Sequence, residues 1–395
     1  MLVPVIHALA KTHETCCLAL TTAKMVLDAE HISSKGFKDL LLATDERALK
    51  IGGKLVEGLP AGPVSKDESI AYLGLSYVEL EDKVGEKEAE NLYSNKGRAV
   101  FLPVNSLKRF LSQERPDLLI TTISPRAEEA SIYAARELGI PSICLVDLFA
   151  RPSIRRASQK QYADKVCVIS EDVKQLMVQY GREAGDIFVT GNPVFDALYD
   201  PDIESKAKSL RLKKNWGDKK VILWASQIEP SISPMNGKKG DPQLPNKIEN
   251  FLINQVESEP DWHLIIRPHP NENHTAEISG HDVEMCDQSD PLNILLKAVD
   301  AVVIMTSTVG YEAGLVGTPV ISVDLSVFSD DTPYSELNLS EGVKSIEDLK
   351  PALSAVFASE ANNEKKINAV NTHNATDRIV NIVETILTEK MTGEM

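Results

Sequence analysis

The sequence predicts an α/β protein that contains two doubly wound parallel sheets. Short apolar, β-branched runs alternate with amphipathic stretches along most of the chain, as expected of alternating strands and helices. Most of the apolar runs are hydrophobic without a break, which is typical of parallel strands buried on both faces. A chain of 395 residues is also too long for one compact core and therefore favours two domains.

The predicted strands fall into an early and a late series. The early candidates are Thr15–Thr22, Leu40–Thr44, Asp117–Thr122, Pro141–Asp147, Lys165–Ser170 and Ile187–Gly191. The late candidates are Lys220–Ser226, Trp262–Pro268, Ala301–Thr306 and Pro319–Asp324. Helical patterns between them include Glu128–Leu138 and Ser170–Tyr180, where Ser170 is the predicted N-cap.

The ends and the linkers suggest how the chain is divided. Apolar residues at helical spacing predict a first helix at Leu2–Lys11, where an α/β domain more often has a strand and a glycine-rich turn. The strand signal stops across Tyr199–Lys219, so we expect domains at 1–199 and 200–372, with a terminal helix at 373–391. The Gly-, Lys- and Glu-rich stretch Gly52–Glu90 predicts a mobile insertion.

Charge and cysteine content narrow the class of function. The chain has 42 basic and 58 acidic residues and a net charge of -16, which disfavours general binding to nucleic acid. The 5 cysteines form neither a disulfide framework nor a metal motif, so we expect reduced thiols in a cytoplasmic protein. No apolar run reaches the ~18 residues of a membrane span, although work at the inner face of a membrane stays open.

The strongest candidate site follows the apolar run that ends near Met305. There Thr306, Ser307 and Thr308 lead directly into a predicted helix that carries Gly310 and Glu312. Free backbone N–H groups, the positive end of a helix and hydroxyl groups together suit a phosphate. Glu312 lies about one turn into the helix, where a carboxylate can accept hydrogen bonds from ribose. The alternative is that the hydroxyl residues only cap the helix.

Two further candidate sites follow late strands. Arg267 and His269 come directly after one of them, and ligands of open α/β sheets bind at such carboxyl ends. Ser226 and Gln227 follow another strand and precede a loop with Gly237, Lys238, Lys239 and Gly240 that could close over a diphosphate. Solvated loops of this composition are also common, and a histidine in a turn is often structural.

Acid–base candidates lie in the first half of the chain. Arg126 and Glu128 follow one predicted strand, and Asp147 ends the next one, ahead of the basic run Arg151–Arg156. A general base for a sugar hydroxyl must lie within hydrogen-bond reach of it, so Asp147 and Glu128 are candidates. Solvent-facing charges at a helix start are an equally good interpretation of the glutamate. The sequence contains no Walker loop, no Gly-x-Gly-x-x-Gly and no Cys/His metal cluster, so no metal ligand is predicted.

Taken together, these segments resemble the two-domain nucleotide-sugar enzymes of the GT-B fold. The nearest patterns are those of non-hydrolysing UDP-N-acetylglucosamine 2-epimerases and of bacterial capsule or lipopolysaccharide glycosyltransferases. The matching segments are Leu2–Lys11, Val189–Asp196, Arg267–Pro270, Thr306–Ala313, Gly317–Val320 and Asn374–Ile386. The resemblance implies two Rossmann-like domains facing a cleft, a terminal helix that crosses back to the first domain, and nucleotide binding mainly to the second.

Departures from the epimerase pattern favour transfer over epimerisation. Epimerases of this type have an aspartate in the turn that matches Ser124–Arg126, and none occurs here. Asp147 matches their acidic residue in the next strand, but a basic run replaces the glutamate motif downstream, and Ser226–Pro230 replaces their donor loop. The pairing of His269-Pro270 with Ser307-Thr308 also resembles enzymes that use CMP-linked acidic sugars, in which these residues hold the phosphate.

The sequence therefore predicts a metal-independent glycosyltransferase that uses a UDP- or CMP-sugar in surface polysaccharide or glycoconjugate assembly. His269, Asp147 and Glu128 are its predicted catalytic residues, and the nucleotide-sugar is a co-substrate rather than a bound cofactor. The expected partner is a glycan or glycolipid acceptor, while a homodimer and peripheral membrane association stay open. A 2-epimerase and a non-catalytic nucleotide-sugar-binding subunit are the alternatives.

Overall fold

A computed structural model shows a chain of alternating strands and helices that packs into two compact units. It describes residues 1–19, 23–59, 62, 64–147, 149, 151–233, 237–269, 272, 282–287, 289–359 and 374–392, with the backbone only at 151 and 152. Unit 1 is drawn from Met1–Asp147, Ser153–Pro193 and Thr376–Met395, and unit 2 from Leu148–Pro152 and Val194–Ala375. The packing thus changes unit at Pro193/Val194, a few residues before the predicted boundary at 199/200.

The helices and strands of the described residues are as follows. The helices are α1 Val3–Leu9, α2 Ala23–Ala29, α3 Glu46–Val56, α4 Lys66–Val84, α5 Glu86–Lys96, α6 Val104–Glu114, α7 Ala127–Glu137, α8 Arg151–Ala157, α9 Glu171–Gln179, α10 Ile203–Lys214, α11 Leu244–Ser258, α12 Leu292–Ala298, α13 Thr308–Leu315, α14 Leu349–Ala358 and α15 Ala375–Thr392. The strands are β1 Cys17–Leu18, β2 Ser34–Lys35, β3 Leu119–Thr122, β4 Ser142–Leu145, β5 Lys165–Val168, β6 Ile187–Val189, β7 Lys220–Ala225, β8 Trp262–Arg267, β9 Val283–Met285, β10 Ala301–Ile304, β11 Val320–Val323 and β12 Glu341–Val343.

Unit 2 is a parallel sheet between two layers of helices. Among the described residues its strands run in the order β12-β11-β10-β7-β8-β9, and every neighbouring pair is parallel. All four residues of β10 and of β11 are buried, as predicted for strands covered on both faces. The core includes Trp224, Leu252 and Leu353, so helices α11 and α14 pack on the side of the sheet to which Trp224 points.

Unit 1 contains two sheets in its described part. The larger has the parallel order β3-β4-β5-β6, and the smaller is the parallel pair β1-β2. The predicted N-cap is confirmed, since the Ser170 hydroxyl accepts a hydrogen bond from the Val173 N–H at the start of α9.

The first helix and the terminal helix pack together in unit 1. The predicted first helix is α1, and its Val5 and Leu9 are buried in one cluster with Ile379 and Val383 of α15. The cluster also includes residues of β4 and β5, so α15 packs on the larger sheet of unit 1, as the GT-B resemblance implies. Within α15's first turns, the Arg378 guanidinium donates to the Thr190 carbonyl at 2.7 Å.

Several predicted elements are wrong. The stretch Gly52–Glu90, predicted as a mobile insertion, falls within helices α3, α4 and α5, apart from a connection in which residues 60, 61 and 63 lie outside the described part. Leu40–Thr44 is no strand, because a single 3₁₀ turn over Phe37–Leu40 comes before a loop there. The short strands β2, β9 and β12 had no sequence prediction, and residues 20–22 of the predicted Thr15–Thr22 strand lie outside the described residues.

Two glycines explain why the Gly-rich stretch is helical. A Cβ added to Gly52 of α3 would lie 2.0 Å from the Ile70 carbonyl oxygen of α4. A Cβ added to Gly74 of α4 would lie equally close, 2.0 Å, to the Ala48 carbonyl oxygen of α3. The glycines therefore serve the close crossing of two helices and not chain flexibility.

We expect Gly74→Ala to lower the free energy of unfolding by about 3 kcal/mol, because its methyl group would meet backbone that cannot rotate away. Gly53→Ala is the matched control, since nothing lies within 4 Å of its Cβ position and alanine favours helix. Gly53→Ala should be neutral or slightly stabilising. Scanning calorimetry of both variants tests this, and equal melting temperatures would contradict the close crossing of α3 and α4.

Candidate functional site

Three neighbouring strands of unit 2 bring the predicted nucleotide-binding residues to one edge of the sheet. Strand β7 pairs with β10 on one side and with β8 on the other. Ser226 follows β7, and Thr306 comes two residues after the end of β10. Arg267 ends β8, so these side chains share the carboxyl edge, where open parallel sheets bind ligands.

Gln227 holds two of these strand ends together. Its side-chain oxygen accepts hydrogen bonds from the Thr306 backbone N–H at 2.9 Å and from the Thr306 hydroxyl at 3.0 Å. The residue is buried, with 8% of its surface exposed. Gln227 was predicted to contact substrate, but its carbonyl oxygen is engaged in positioning the segment that leads into α13.

Glu272 organises the loop that carries His269. One carboxylate oxygen accepts from the Ser226 hydroxyl at 3.2 Å, and the other accepts from the His269 backbone N–H at 3.1 Å. The Glu272 N–H in turn donates to the His269 carbonyl at 2.8 Å. Pro270, part of the predicted motif, and Asn271 lie outside the described residues. Glu272 thus fixes the backbone of His269 beside the end of β7.

The amino end of α13 offers fewer free N–H groups than predicted. Ser307 is the N-cap, and its hydroxyl accepts from the Val309 N–H at 3.3 Å. The Ser307 carbonyl accepts from the Gly310 N–H at 3.1 Å and from the Tyr334 hydroxyl at 2.7 Å. The exposed Thr308 is left with an N–H that no described residue accepts, so this N–H is a donor that an anion can use.

Gly310, which was predicted to bind substrate, packs closely against the sheet. An added Cβ would lie 2.4 Å from the Ile304 Cδ1 of β10 and 3.3 Å from the Val320 Cγ1 of β11. The glycine therefore faces the sheet, where it allows α13 to approach β10 and β11 closely.

Glu312 and Arg267 form the electrostatic centre of this edge. Burial raises the pKa of the Glu312 carboxyl to about 7, and the positive charge of Arg267 offsets part of that rise. The Arg267 Nη1 donates to the Cys286 sulfur at 3.5 Å, which is a weak acceptor. A guanidinium held by so weak a partner can still engage an anionic ligand.

An aromatic cluster supports α13 from below. The Tyr311 ring lies 5.3 Å from the Phe195 ring and 6.1 Å from the Phe149 ring, measured between centroids. Phe149 also packs edge-on against Tyr334 at 5.5 Å. Tyr311 and Tyr334 are almost fully buried. The sequence analysis did not predict this aromatic cluster, although large aromatic residues in predicted loops could have indicated it.

The acid–base candidates of unit 1 lie at the carboxyl edge of its larger sheet. The Glu128 carboxylate accepts from the Thr122 hydroxyl at 2.5 Å and from the Ser124 N–H at 3.1 Å, so it closes the turn between β3 and α7. Arg126 in that turn has φ 71° and ψ -105°, a strained conformation for a residue with a side chain. Asp147 is exposed after β4.

A neighbouring pair was not predicted. The Glu129 carboxylate lies 3.2 Å from Arg156 Nε and accepts from the Tyr133 hydroxyl at 2.9 Å. Arg156 thus belongs to an ion pair on the larger sheet's carboxyl edge. The side chain of Arg151, from the same basic run, lies outside the described part of the structure.

Two general features can be excluded for the described part of the chain. No group of three or more His, Cys, Asp or Glu residues there could hold a metal ion. None of the helices described is both long enough and apolar enough to span a bilayer.

Solved structures match this chain over nearly its whole length, whereas no protein-family model and no curated protein matches it. A Listeria monocytogenes protein proposed to be a UDP-N-acetylglucosamine 2-epimerase is 15% identical, with a TM-score of 0.60, over 98% of this chain and 93% of that one. The Neisseria meningitidis UDP-GlcNAc 2-epimerase, in a structure bound to UDP-GlcNAc, is 16% identical with a TM-score of 0.58, over 97% and 96%. A glycotransferase of kitacinnamycin is 11% identical with a TM-score of 0.55, over 97% and 94%.

These likenesses establish the fold. The predicted α/β class and the resemblance to GT-B nucleotide-sugar enzymes are therefore confirmed at the level of the fold. Epimerases are the more numerous among these structures, and the glycotransferase shares the same architecture.

Proposed function

We propose that this protein is a nucleotide-sugar enzyme whose nucleotide binds at the carboxyl edge of the unit 2 sheet. The observation that supports it is the convergence of a cation, a histidine and the amino end of a helix. These are Arg267, His269 and Thr308, at the ends of strands β8 and β10, which lie on either side of β7. Such a combination suits a diphosphate, and the fold is one on which the Neisseria meningitidis structure above holds UDP-GlcNAc.

Each residue at this edge has a proposed role in that complex. The Thr308 N–H and the Arg267 guanidinium would hold phosphate oxygens, and His269 would donate to the phosphate from which the sugar departs. Glu312 would accept hydrogen bonds from the ribose hydroxyls. Gln227 and Glu272 act indirectly, because their hydrogen bonds fix Thr306 and His269 in place.

The comparisons favour C2 epimerisation over the glycosyl transfer that the sequence predicts. Epimerases dominate among the matching structures, and the UDP-GlcNAc complex of the Neisseria meningitidis enzyme favours UDP over CMP as the nucleotide. Against epimerisation stands the absence of an aspartate in the turn Ser124–Arg126. Inversion at C2 requires a base that removes a proton and an acid that returns one. Glu128 and Asp147, at the carboxyl edge of the larger sheet in unit 1, are the predicted acids that could supply these two groups.

One incubation distinguishes these reactions. In deuterated water, an epimerase should convert UDP-GlcNAc into a mixture of C2 epimers whose sugar gains one solvent deuterium. A transferase should instead release UDP only when a glycan or glycolipid acceptor is present, and should leave the remaining donor unlabelled. Mass spectrometry and proton NMR measure both results, and CMP-sialic acid run in parallel tests the CMP alternative.

The same samples test the proposal itself. Calorimetric binding of UDP or CMP without turnover of either donor would support a non-catalytic binding subunit. If neither nucleotide binds, the assignment of this edge of the sheet is wrong.

A further inference from the structure

In its described part, unit 1 contains a large cavity that is bordered by one edge of β1 and one edge of β3. Its volume is about 1720 Å³, which exceeds the roughly 300–1,000 Å³ of ordinary ligand pockets. All four residues of β3 line it, and so do both residues of β1. In the described part of the chain β1 pairs with β2 and β3 pairs with β4, and no ladder joins β1 to β3.

The backbone of β3 directs hydrogen-bonding groups into this cavity. The Leu119 N–H donates to the Pro141 carbonyl, so Leu119 and Thr121 present their N–H and C=O groups to β4. In a parallel ladder alternate residues face opposite sides. Ile120 and Thr122 therefore present theirs to the cavity.

The same reasoning applies to β1. The Ala19 N–H donates to the Lys35 carbonyl of β2, which places the N–H and C=O groups of Ala19 and Cys17 on the β2 side. Leu18, between them, presents its N–H and C=O groups to the side opposite β2, and Leu18 lines the cavity. Unpaired edges of this kind are templates for an added strand.

Apolar side chains close the cavity above and below the strands. Ile120 belongs to the cluster formed by α1, α15 and β4, whereas its neighbour Leu119 belongs to the cluster of α4, α6 and α7. Adjacent residues of a strand point to opposite faces, so β3 lies between two apolar layers. Val5 and Val383 line the cavity from the first layer, and Phe110 lines it from the second.

We propose that this cavity is a binding site for an extended polypeptide segment that pairs with β1 and β3 as an added strand. The segment has apolar side chains on both faces, because each face contacts one of the two apolar layers described above. It is about four to six residues long, matching the four residues of β3 and the usual length of a strand. Main-chain hydrogen bonds supply its affinity, as in other cases of strand addition. This inference is independent of the nucleotide site in unit 2.

The probe is the blocked peptide Lys-Val-Ile-Val-Val-Ile-Lys, added to the whole protein. We expect slower hydrogen exchange at the amides of Leu18, Ile120 and Thr122, by about tenfold when the peptide is at ten times its Kd. The amides of Ala19 and Thr121 are internal controls, since they already face β2 and β4. Exchange is followed by mass spectrometry with fragmentation to single residues.

Two further samples make the test decisive. The peptide with N-methyl groups at every residue keeps every side chain but cannot pair on either side, so it should protect none of the three amides. The parent peptide fused through a Gly-Gly linker to Met1, which lines the cavity, raises the effective concentration if free binding is weak.

The competing occupant is an apolar small molecule, tested with laurate. Laurate that raises the melting temperature while neither peptide form protects Leu18, Ile120 and Thr122 would identify a lipid pocket and overturn the proposal. Equal protection by the parent and the N-methylated peptide would also overturn it. The absence of protection in the fused protein would do the same.

Discussion

Replacing Arg267 by alanine should weaken UDP binding to this protein by about 10- to 100-fold. Hydrogen bonds from a guanidinium to an anion contribute roughly 1.5–3 kcal/mol, and each 1.4 kcal/mol is a factor of ten in Kd. The structure supports an effect of this size because the neighbouring Cys286 sulfur is a weak acceptor that does not tie up the guanidinium. Titration calorimetry with UDP measures the change.

Lys247→Ala is the matched control for this substitution. Lys247 is an exposed cation of the same unit, in the first turn of α11, and it pairs with the exposed Asp241. Its loss removes the same charge from the surface and should leave the Kd within about twofold, because an exposed pair contributes little. If Arg267→Ala binds UDP with the affinity of the wild type, the phosphate does not bind beside Arg267.

The parallel core of unit 2 could be predicted because its strands carry a strong local signal. Strands such as β10 are hydrophobic throughout, and burial on both faces demands that composition wherever the strand lies in the sheet. The short strands β9 and β12 lie at the two edges of that sheet. At only three residues each, they carry too little pattern to be distinguished from loop.

The helices of residues 46–96 could not be predicted, because a glycine in a sequence can indicate either a flexible chain or a close contact between helices. Gly52 and Gly74 indicate flexibility when counted as composition, but in the structure each allows one helix to touch the backbone of another. That distinction depends on which helices cross, and this is a property of tertiary packing.

The site shows the same division between local and long-range information. The N-cap at Ser307 follows from local residue order, and capping was the alternative that the sequence left open for this segment. The hydrogen bonds from Thr306 to Gln227 join positions that are 79 residues apart. Only the pairing of β7 with β10 reveals that Gln227 holds Thr306 in place, whereas its position at a strand end predicts a substrate contact but not these hydrogen bonds.

The second large effect that we expect concerns pH and Glu312. Burial raises the pKa of this carboxyl from 4.5 to about 7, so the folded protein binds the proton more tightly than the unfolded chain does. Below pH 4.5 both states are protonated, and above pH 7 both are ionised and the folded state carries the cost of a buried charge. This group should therefore lower the free energy of unfolding as pH rises from 4.5 to 7, by at most about 3 kcal/mol.

Glu312→Gln should abolish this fall in the free energy of unfolding, because an amide stays neutral at every pH. The 3 tryptophans of the chain, Trp216, Trp224 and Trp262, all lie in unit 2, so their fluorescence reports the unfolding of the unit that holds Glu312. Urea unfolding of both proteins should give similar stabilities at pH 4.5 and a more stable variant at pH 8. The exposed Glu257→Gln serves as control and should follow the wild type. If Glu312→Gln instead parallels the wild type from pH 4.5 to 8, the carboxyl is solvated in the folded protein, and its assignment to a desolvated ribose pocket is wrong.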